Sequence, residues 1–211
     1  MWKFKILILM FSISFLAQPC FADIGVPDLY LSEAFIAHGS PWSPTLLVVP
    51  DGSGNPFTEA HDEQGNVVDA TITLYLRDSQ GMPFVHFPLE DMWLESADGG
   101  VVTCLWGMRA DQNTDINGMT MWTNPPIAGG HSQGPVIVFV NGSPLLSNSG
   151  LPLKFTSPDI NGDLAVNLQD LAILAPDFYS GYNFRSDLNG DGLLNLTDIY
   201  IFAQHLGAHC P

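Results

Sequence analysis

The sequence predicts a mainly β protein that ends in a small helical, cation-binding segment. Three observations carry that expectation. Short β-branched runs separated by turn residues fill the stretch from about 28 to 147. A twelve-residue acidic loop occurs twice after it. Carboxylates far outnumber cations, 22 Asp and Glu against six Lys and Arg.

The chain opens with "MWKFKILILMFSISFLAQPCFA": two lysines, an apolar run, then a small residue. That order is a secretory signal peptide, with cleavage expected after Ala22 and Cys20 at the −3 position. The apolar run is short for a membrane anchor, and no second stretch of spanning length follows it. Loss of residues 1–22 removes Lys3 and Lys5. Four cations then remain (Arg77, Arg109, Lys154, Arg185) against 22 carboxylates, a formal charge of −18. Such a chain repels nucleic acid and anionic membranes and favours metal cations. Two cysteines remain, Cys104 and Cys210. An oxidising compartment permits a disulfide between them; two separate thiols are the alternative, and the spacing alone does not choose.

Residues 23–150 read as a β-sandwich. "ATITLYLRD" (70–78) alternates, with Ile72, Leu74 and Leu76 on one face and Thr71, Thr73 and Tyr75 on the other, as a half-buried strand does. "TLLVVP" (45–50) and "PVIVFVNG" (135–142) are apolar runs of the kind found in buried strands. Turn signals lie between them: "DSQG" at 78–81, "ADGG" at 97–100, "DING" at 115–118 and "NGSP" at 141–144. Several short strands between such turns argue for a sandwich.

Residues 151–211 carry the loops. "DINGDLAVNLQD" (159–170) and "DLNGDGLLNLTD" (187–198) each have Asp at position 1, Asn at 3, Asp at 5, Asn at 9 and Asp at 12, with apolar residues at 8 and 13. Calcium is a hard cation that takes six to eight oxygens in flexible geometry. Positions 1, 3, 5 and 12 offer side-chain oxygens, position 7 a backbone carbonyl, and position 9 a contact through water. The expected ligands are therefore Asp159, Asn161, Asp163, Ala165, Asn167 and Asp170, then Asp187, Asn189, Asp191, Leu193, Asn195 and Asp198. The position 8 residues, Val166 and Leu194, are expected to pair the loops, and position 12 to open a helix. The second helix should bury Ile199, Phe202, Ala203 and Leu206 and stop at Gly207. The first should be cut short by Pro176.

Two resemblances follow from these residues. "ATITLYLRDSQGMPFVHFPLEDMWL", read as a strand, a turn and a second strand ending in Trp93, and the hairpin "NTDINGMTMW" resemble bacterial immunoglobulin-like domains. The paired loops resemble the type I dockerin over about residues 157–208. That resemblance implies a small all-α module with two calcium ions. It also implies a cohesin-bearing protein as partner, in complexes that usually act on polysaccharides. The chain departs from the pattern at position 6, where Leu164 stands in loop one and Gly192 in loop two. A left-handed backbone there costs a Leu about 1–2 kcal/mol, so loop one is expected to bind more weakly. Positions 10 and 11 also depart, being Leu168–Gln169 and Leu196–Thr197, and the basic residues expected after position 12 are missing.

Catalytic motifs are weak. "GHSQG" (130–134) satisfies G-x-S-x-G with Ser132 as nucleophile, but a nucleophile elbow needs a helix after it, and here "PVIVFV" follows. Cys104 with His131 is a conceivable thiol dyad, and Glu90, Asp91 and Glu95 are conceivable paired acids; a structural cysteine and a solvated rim are the plainer readings. The histidines have no zinc spacing. Exposed tryptophans would make a sugar-stacking platform; of Trp42, Trp93, Trp106 and Trp122, Trp42 is expected outermost, and Trp93 and Trp122 in the core. The expectation is a secreted, non-catalytic attachment or assembly protein. The rival is a polysaccharide-binding or polysaccharide-active protein tethered by the same module.

Overall fold

The structure, a computed structural model, describes residues 25–38 and 43–211, so the signal-peptide segment with Cys20, and Trp42, lie outside the described residues. The described chain is mainly β. Its strands are β1 (Glu33–Ile36), β2 (Thr45–Leu47), β3 (Ala60–His61), β4 (Val67–Val68), β5 (Ile72–Tyr75) and β6 (Met92–Ser96). They continue with β7 (Val101–Thr103), β8 (Met119–Trp122), β9 (Ala128–Gly130), β10 (Val136–Val140), β11 (Ser143–Pro144) and β12 (Lys154–Thr156). Two helices follow, α1 (Leu168–Ser180) and α2 (Leu196–Gln204).

The strands form sheets ordered β1-β5-β8, β11-β10-β6, β12-β2-β3-β4 and β7-β9. All pairings are antiparallel except β12 on β2. In β5 the alternation read from sequence holds: Ile72, Leu74 and, just beyond the strand, Leu76 are fully buried, while Thr73 and Tyr75 are half-buried; Thr71, expected on their face, lies before the strand and is buried. The apolar run of β10 buries only one face, through Val136, Val138 and Val140. Its other face carries Phe139, stacked on Trp93 of β6 at 5.6 Å with rings 10° from parallel. These inward faces, with Met92, Leu94, Trp122 and Phe155, make one core.

The stretch 82–91 is not the second strand of a hairpin. Pro83 and Pro88 donate no backbone hydrogen bond and His86 sits at φ 58°, so the chain runs irregularly to a 3-10 turn at Leu89–Asp91. Trp93 then lies inside β6, which pairs with β10.

β2 explains how the two halves of the chain join. Leu46 and Val48 enter the β core, while Leu47 and Val49 enter a second core with Ile160, Val166, Leu174, Leu188, Phe202 and Ala208. Each of the larger side chains contributes about 1.5–3 kcal/mol on burial, so β2 and the two residues after it are one of the joints between the helical segment and the body. The expected separate all-α module from 151 onward is therefore not what forms. Residues 151–156 belong to the β body, with Leu151, Leu153 and Phe155 in its core and β12 paired to β2. Cys104 and Cys210 form a disulfide across 106 residues and tie the C-terminus back to that body.

Both helices open earlier than position 12. Asn167 and Asn195, at position 9, are the N-caps, and Asp170 and Asp198 close a capping box from the third helical residue. α1 runs through Pro176 to Ser180. An interior proline costs about 3 kcal/mol, and the next residue offsets much of it. Asp177 accepts from Arg185 Nε at 2.7 Å and from a terminal guanidinium nitrogen at 2.9 Å. Ser186 Oγ at 2.7 Å and Asn183 Nδ2 at 2.8 Å complete its shell. The Arg185 guanidinium, helped by those donors, holds the Asp177 carboxyl below its usual range. In α2 only Phe202 of the expected apolar face is buried. Ile199, Ala203 and Leu206 are exposed, because the second core is approached by the Asp198–Phe202 side of the helix instead.

Candidate metal centre

The two loops are built on one plan. Asp159 and Asp187 at position 1, and Asp170 and Asp198 at position 12, are all fully buried. In loop one, Asp159 Oδ1 accepts from the backbone N–H of Gly162 (3.0 Å) and Asp163 (3.1 Å), and Oδ2 accepts from Leu164 (2.8 Å). Asp170 accepts from the N–H of Asn161 and Asn167. In loop two, Asp198 accepts from Leu188 and Asn195, both at 2.8 Å. The position 3 amides, Asn161 and Asn189, donate to Asp163 and Asp191 at 3.0 and 2.9 Å. The Ala165 carbonyl accepts from the Asn167 amide at 2.9 Å, and Leu193, its counterpart, has an exposed side chain.

The loops differ at position 1. Asp187 Oδ2 accepts from Gly192 N–H and from the Tyr182 hydroxyl, both at 2.9 Å, but its Oδ1 is buried with no hydrogen-bond partner. Burial pushes Asp159 above its ordinary pKa, and the Asp170 and Asp163 carboxylates add to the rise. Burial likewise raises Asp187 and Asp198. Burial first, and the Asp187 charge second, raise Tyr182 so far that its hydroxyl stays a neutral donor. Sequence offers no signal for Tyr182, which precedes the loop and belongs to no repeat.

The left-handed backbone expected at position 6 is present in both loops, at φ 68° for Leu164 and 80° for Gly192. The expected pairing of the loops through position 8 is not. Val166 N–H donates to Ala208 O and its carbonyl accepts from Gly207 N–H, so the C-terminal tail takes that edge; Ala165 bridges His209 beside it. The loops instead lie on the β body. A Cβ on Gly129 would fall 1.8 Å from Asp159 Oδ2, and one on Gly190 would fall 2.7 Å from Thr45 Cβ. Gly130 N–H donates to Asp159 O, and Thr156 Oγ1 donates to Leu188 O.

Among the described residues, no three His, Cys, Asp or Glu side chains converge as a metal cluster would. In each loop the acids at positions 1 and 12 are turned onto backbone N–H groups and position 3 is an amide. A site built here would be an oxygen cage drawing only partly on acids. The donor chemistry fits calcium. So does Asp187 Oδ1, since a buried anionic oxygen without a partner is costly and a cation would relieve it. Calcium would supply positive charge to the Asp187, Asn189, Asp191, Asn195 and Asp198 oxygens, and in loop one to those of Asp159, Asn161, Asp163, Asn167 and Asp170.

The remaining candidates resolve differently. Ser132 is buried, donates to Asp98 Oδ1 at 2.7 Å and leads through residues 133–135 into β10, without the helix of an elbow. Cys104 is in the disulfide, so no thiol faces His131. Asp91 ends the 3-10 turn that Glu90 shares, and Glu95 Oε1 accepts from Trp93 Nε1 at 2.8 Å. Trp122 is in the core, Trp93 is half-buried and Trp106 is exposed. A serine–histidine contact unforeseen from sequence joins Ser53 Oγ to His205 Nδ1 at 3.0 Å, with Asp51 Oδ1 at 2.6 Å from the same hydroxyl. The acid receives the hydroxyl proton there, so the histidine is left to donate, which is the reverse of nucleophile activation. No helix of the described residues is long and apolar enough to cross a membrane.

No protein-family model matches this chain, and no curated protein matches it.

Proposed function

We propose that this chain is a secreted, non-catalytic attachment protein whose C-terminal loops bind two calcium ions. The observation that carries the calcium reading is the buried, partnerless Oδ1 of Asp187 inside an oxygen-rich loop that occurs twice. The attachment reading draws on the outer side of the helices. Positions 10 and 13 repeat an exposed apolar pair: Leu168 and Leu171 on α1, Leu196 and Ile199 on α2. Leu168 and Leu196 are 71 % and 75 % exposed. The dockerin resemblance makes a cohesin-bearing protein the partner for this face, in a polysaccharide-degrading or cell-surface complex. The β body is then an immunoglobulin-like sandwich that carries the loops, and the leader "MWKFKILILMFSISFLAQPCFA" delivers the protein outside the cell.

The test is calcium titration by calorimetry on residues 23–211, the helical segment and the body sharing a core. Two events are expected, the tighter lost in Asp187→Ala and the weaker in Asp159→Ala. Absence of heat and of any calcium-dependent rise in melting temperature sinks the metal reading. A pull-down with immobilised cohesin domains tests attachment: retention should require calcium and be lost in Leu168→Asp/Leu196→Asp. Flow-through of the wild-type protein with calcium bound removes the cohesin partner and leaves the loops as a structural brace.

A further inference from the structure

Trp106 is the one exposed tryptophan among the described residues, 53 % exposed, and its backbone is left-handed at φ 64°. A bulky residue rarely adopts that conformation and is strained in it. The fold gives it no alternative. Cys104 is held by the disulfide, its N–H donates to Ile127 O at 3.0 Å, Gly107 N–H donates to Cys104 O at 2.9 Å, and Ile127 N–H donates to Gly107 O at 2.9 Å. A Cβ on Gly107 would fall 2.0 Å from Ile127 O, so the turn has no room to shift. Strained residues that the surrounding structure over-determines cluster at ligand sites.

Trp106 stands between two clefts that share it, Gly107, Met108 and Arg109 as a common wall. One, of about 330 Å³, extends to Asn124; the other, of about 260 Å³, contains Glu90, Trp93 and Thr103. A third, of about 320 Å³, shares Trp93, Thr103 and Met108 with the second and reaches Glu95. The three clefts adjoin one another through these shared residues, a groove-like run with two indoles along it. Trp93 is fixed by its bond to Glu95 and its stack on Phe139. The Arg109 guanidinium lies 6.0 Å from the Trp106 ring centroid. Rigid indoles take the C–H face of a sugar ring, and carboxylates and a guanidinium beside them take its hydroxyls. Two acids, Glu90 and Glu95, against the single Arg109, on a chain of formal charge −16 or lower, disfavour an anionic glycan.

We propose that this groove binds a neutral oligosaccharide, with one pyranose ring stacked on Trp106. The site is separate from the calcium loops and does not rest on the metal reading. The test is titration of residues 23–211, in calcium buffer, with cellohexaose, xylohexaose and mannohexaose, followed by calorimetry and tryptophan fluorescence, with polygalacturonate as the anionic control. At least one neutral hexasaccharide should bind and change the fluorescence, and polygalacturonate should not. Trp106→Gly should lower that affinity at least tenfold while melting about 2–4 °C higher, because it releases the left-handed strain. Glu90→Gln, an exposed change that leaves the fold untouched, should weaken binding severalfold, and Ile116→Ala, at an exposed position outside the groove, should leave it unchanged. No binding of any neutral hexasaccharide overturns the proposal. So does equal binding by Trp106→Gly and Glu90→Gln, or tighter binding of polygalacturonate.

Discussion

The two acidic loops share their sequence plan and differ in how the rest of the molecule finishes them. Loop one carries a strained Leu164, uses both oxygens of Asp159 on its own backbone, and is braced by the C-terminal tail and the β9 glycines. Loop two has Gly192 at the same turn, leaves Asp187 Oδ1 unbonded, and is braced by Tyr182 and by the Asp177–Arg185 knot that precedes it. The repeat therefore sets the same pattern of oxygen donors twice, while position 6 within it and neighbours outside it make the two copies differ. Loop one is closed on itself and held from outside; loop two keeps an acceptor in reserve.

Three substitutions break or sharpen that difference. The largest effect is expected for Cys210→Ser. Opening a disulfide across 106 residues costs about 4–5 kcal/mol by loop entropy, read as a lowered guanidinium midpoint. Calcium affinity at loop one should fall with it, since the tail pairs with Val166, while loop two holds. An equal fall at both loops would mean that the tail braces the whole segment rather than one copy.

Asp177→Ala acts on the other copy. Arg185 is more than a third exposed, so solvent screening discounts the pair, and a loss of about 2 kcal/mol remains from the orphaned Ser186 and Asn183 donors. The heat of binding at loop two should weaken more than that at loop one. If loop one suffers first, the knot serves the α1 helix past Pro176 and not the second loop. The smallest effect is expected for Leu164→Gly. Release of about 1–2 kcal/mol of strain, less about 0.4–1 kcal/mol of unfolded-state entropy, leaves a net gain of about 0.5–1 kcal/mol. Site-one affinity should rise toward that of site two; an unchanged titration would remove position 6 as the source of the difference.

Much of the local structure was legible in the residues. The β5 alternation, the strong turn residues Asp78 and Asp115, and the left-handed backbone at Leu164 follow from period, side-chain chemistry and loop position, all of which act within a few residues. Misreadings came where a distant partner overrode the local signal. Pro176 should have ended α1, and the Arg185 network carries the helix on. Val166 should have met Leu194, and Gly207–Ala208 took its edge. The α2 face chosen by spacing was Ile199, Phe202, Ala203 and Leu206; the core took only Phe202 of these, with Asp198 beside it. Gly129, just before the "GHSQG" stretch, carried no signal of its own, and its lack of a side chain is what lets Asp159 approach.

What the sequence determined by itself is a mainly β chain of strongly acidic character with two oxygen-rich loops at the end, because strand period, turn residues and ligand spacing are local properties. Only the tertiary structure decided that the loops lie on the β body rather than apart from it. It also decided that Cys104 meets Cys210, that Asp187 keeps a bare oxygen, and that Trp106 is held outward in a strained backbone. Each of these depends on residues far apart in the chain being brought within a few ångströms. No periodicity records such contacts; they are set by which apolar faces, here the two sides of β2, find a common core.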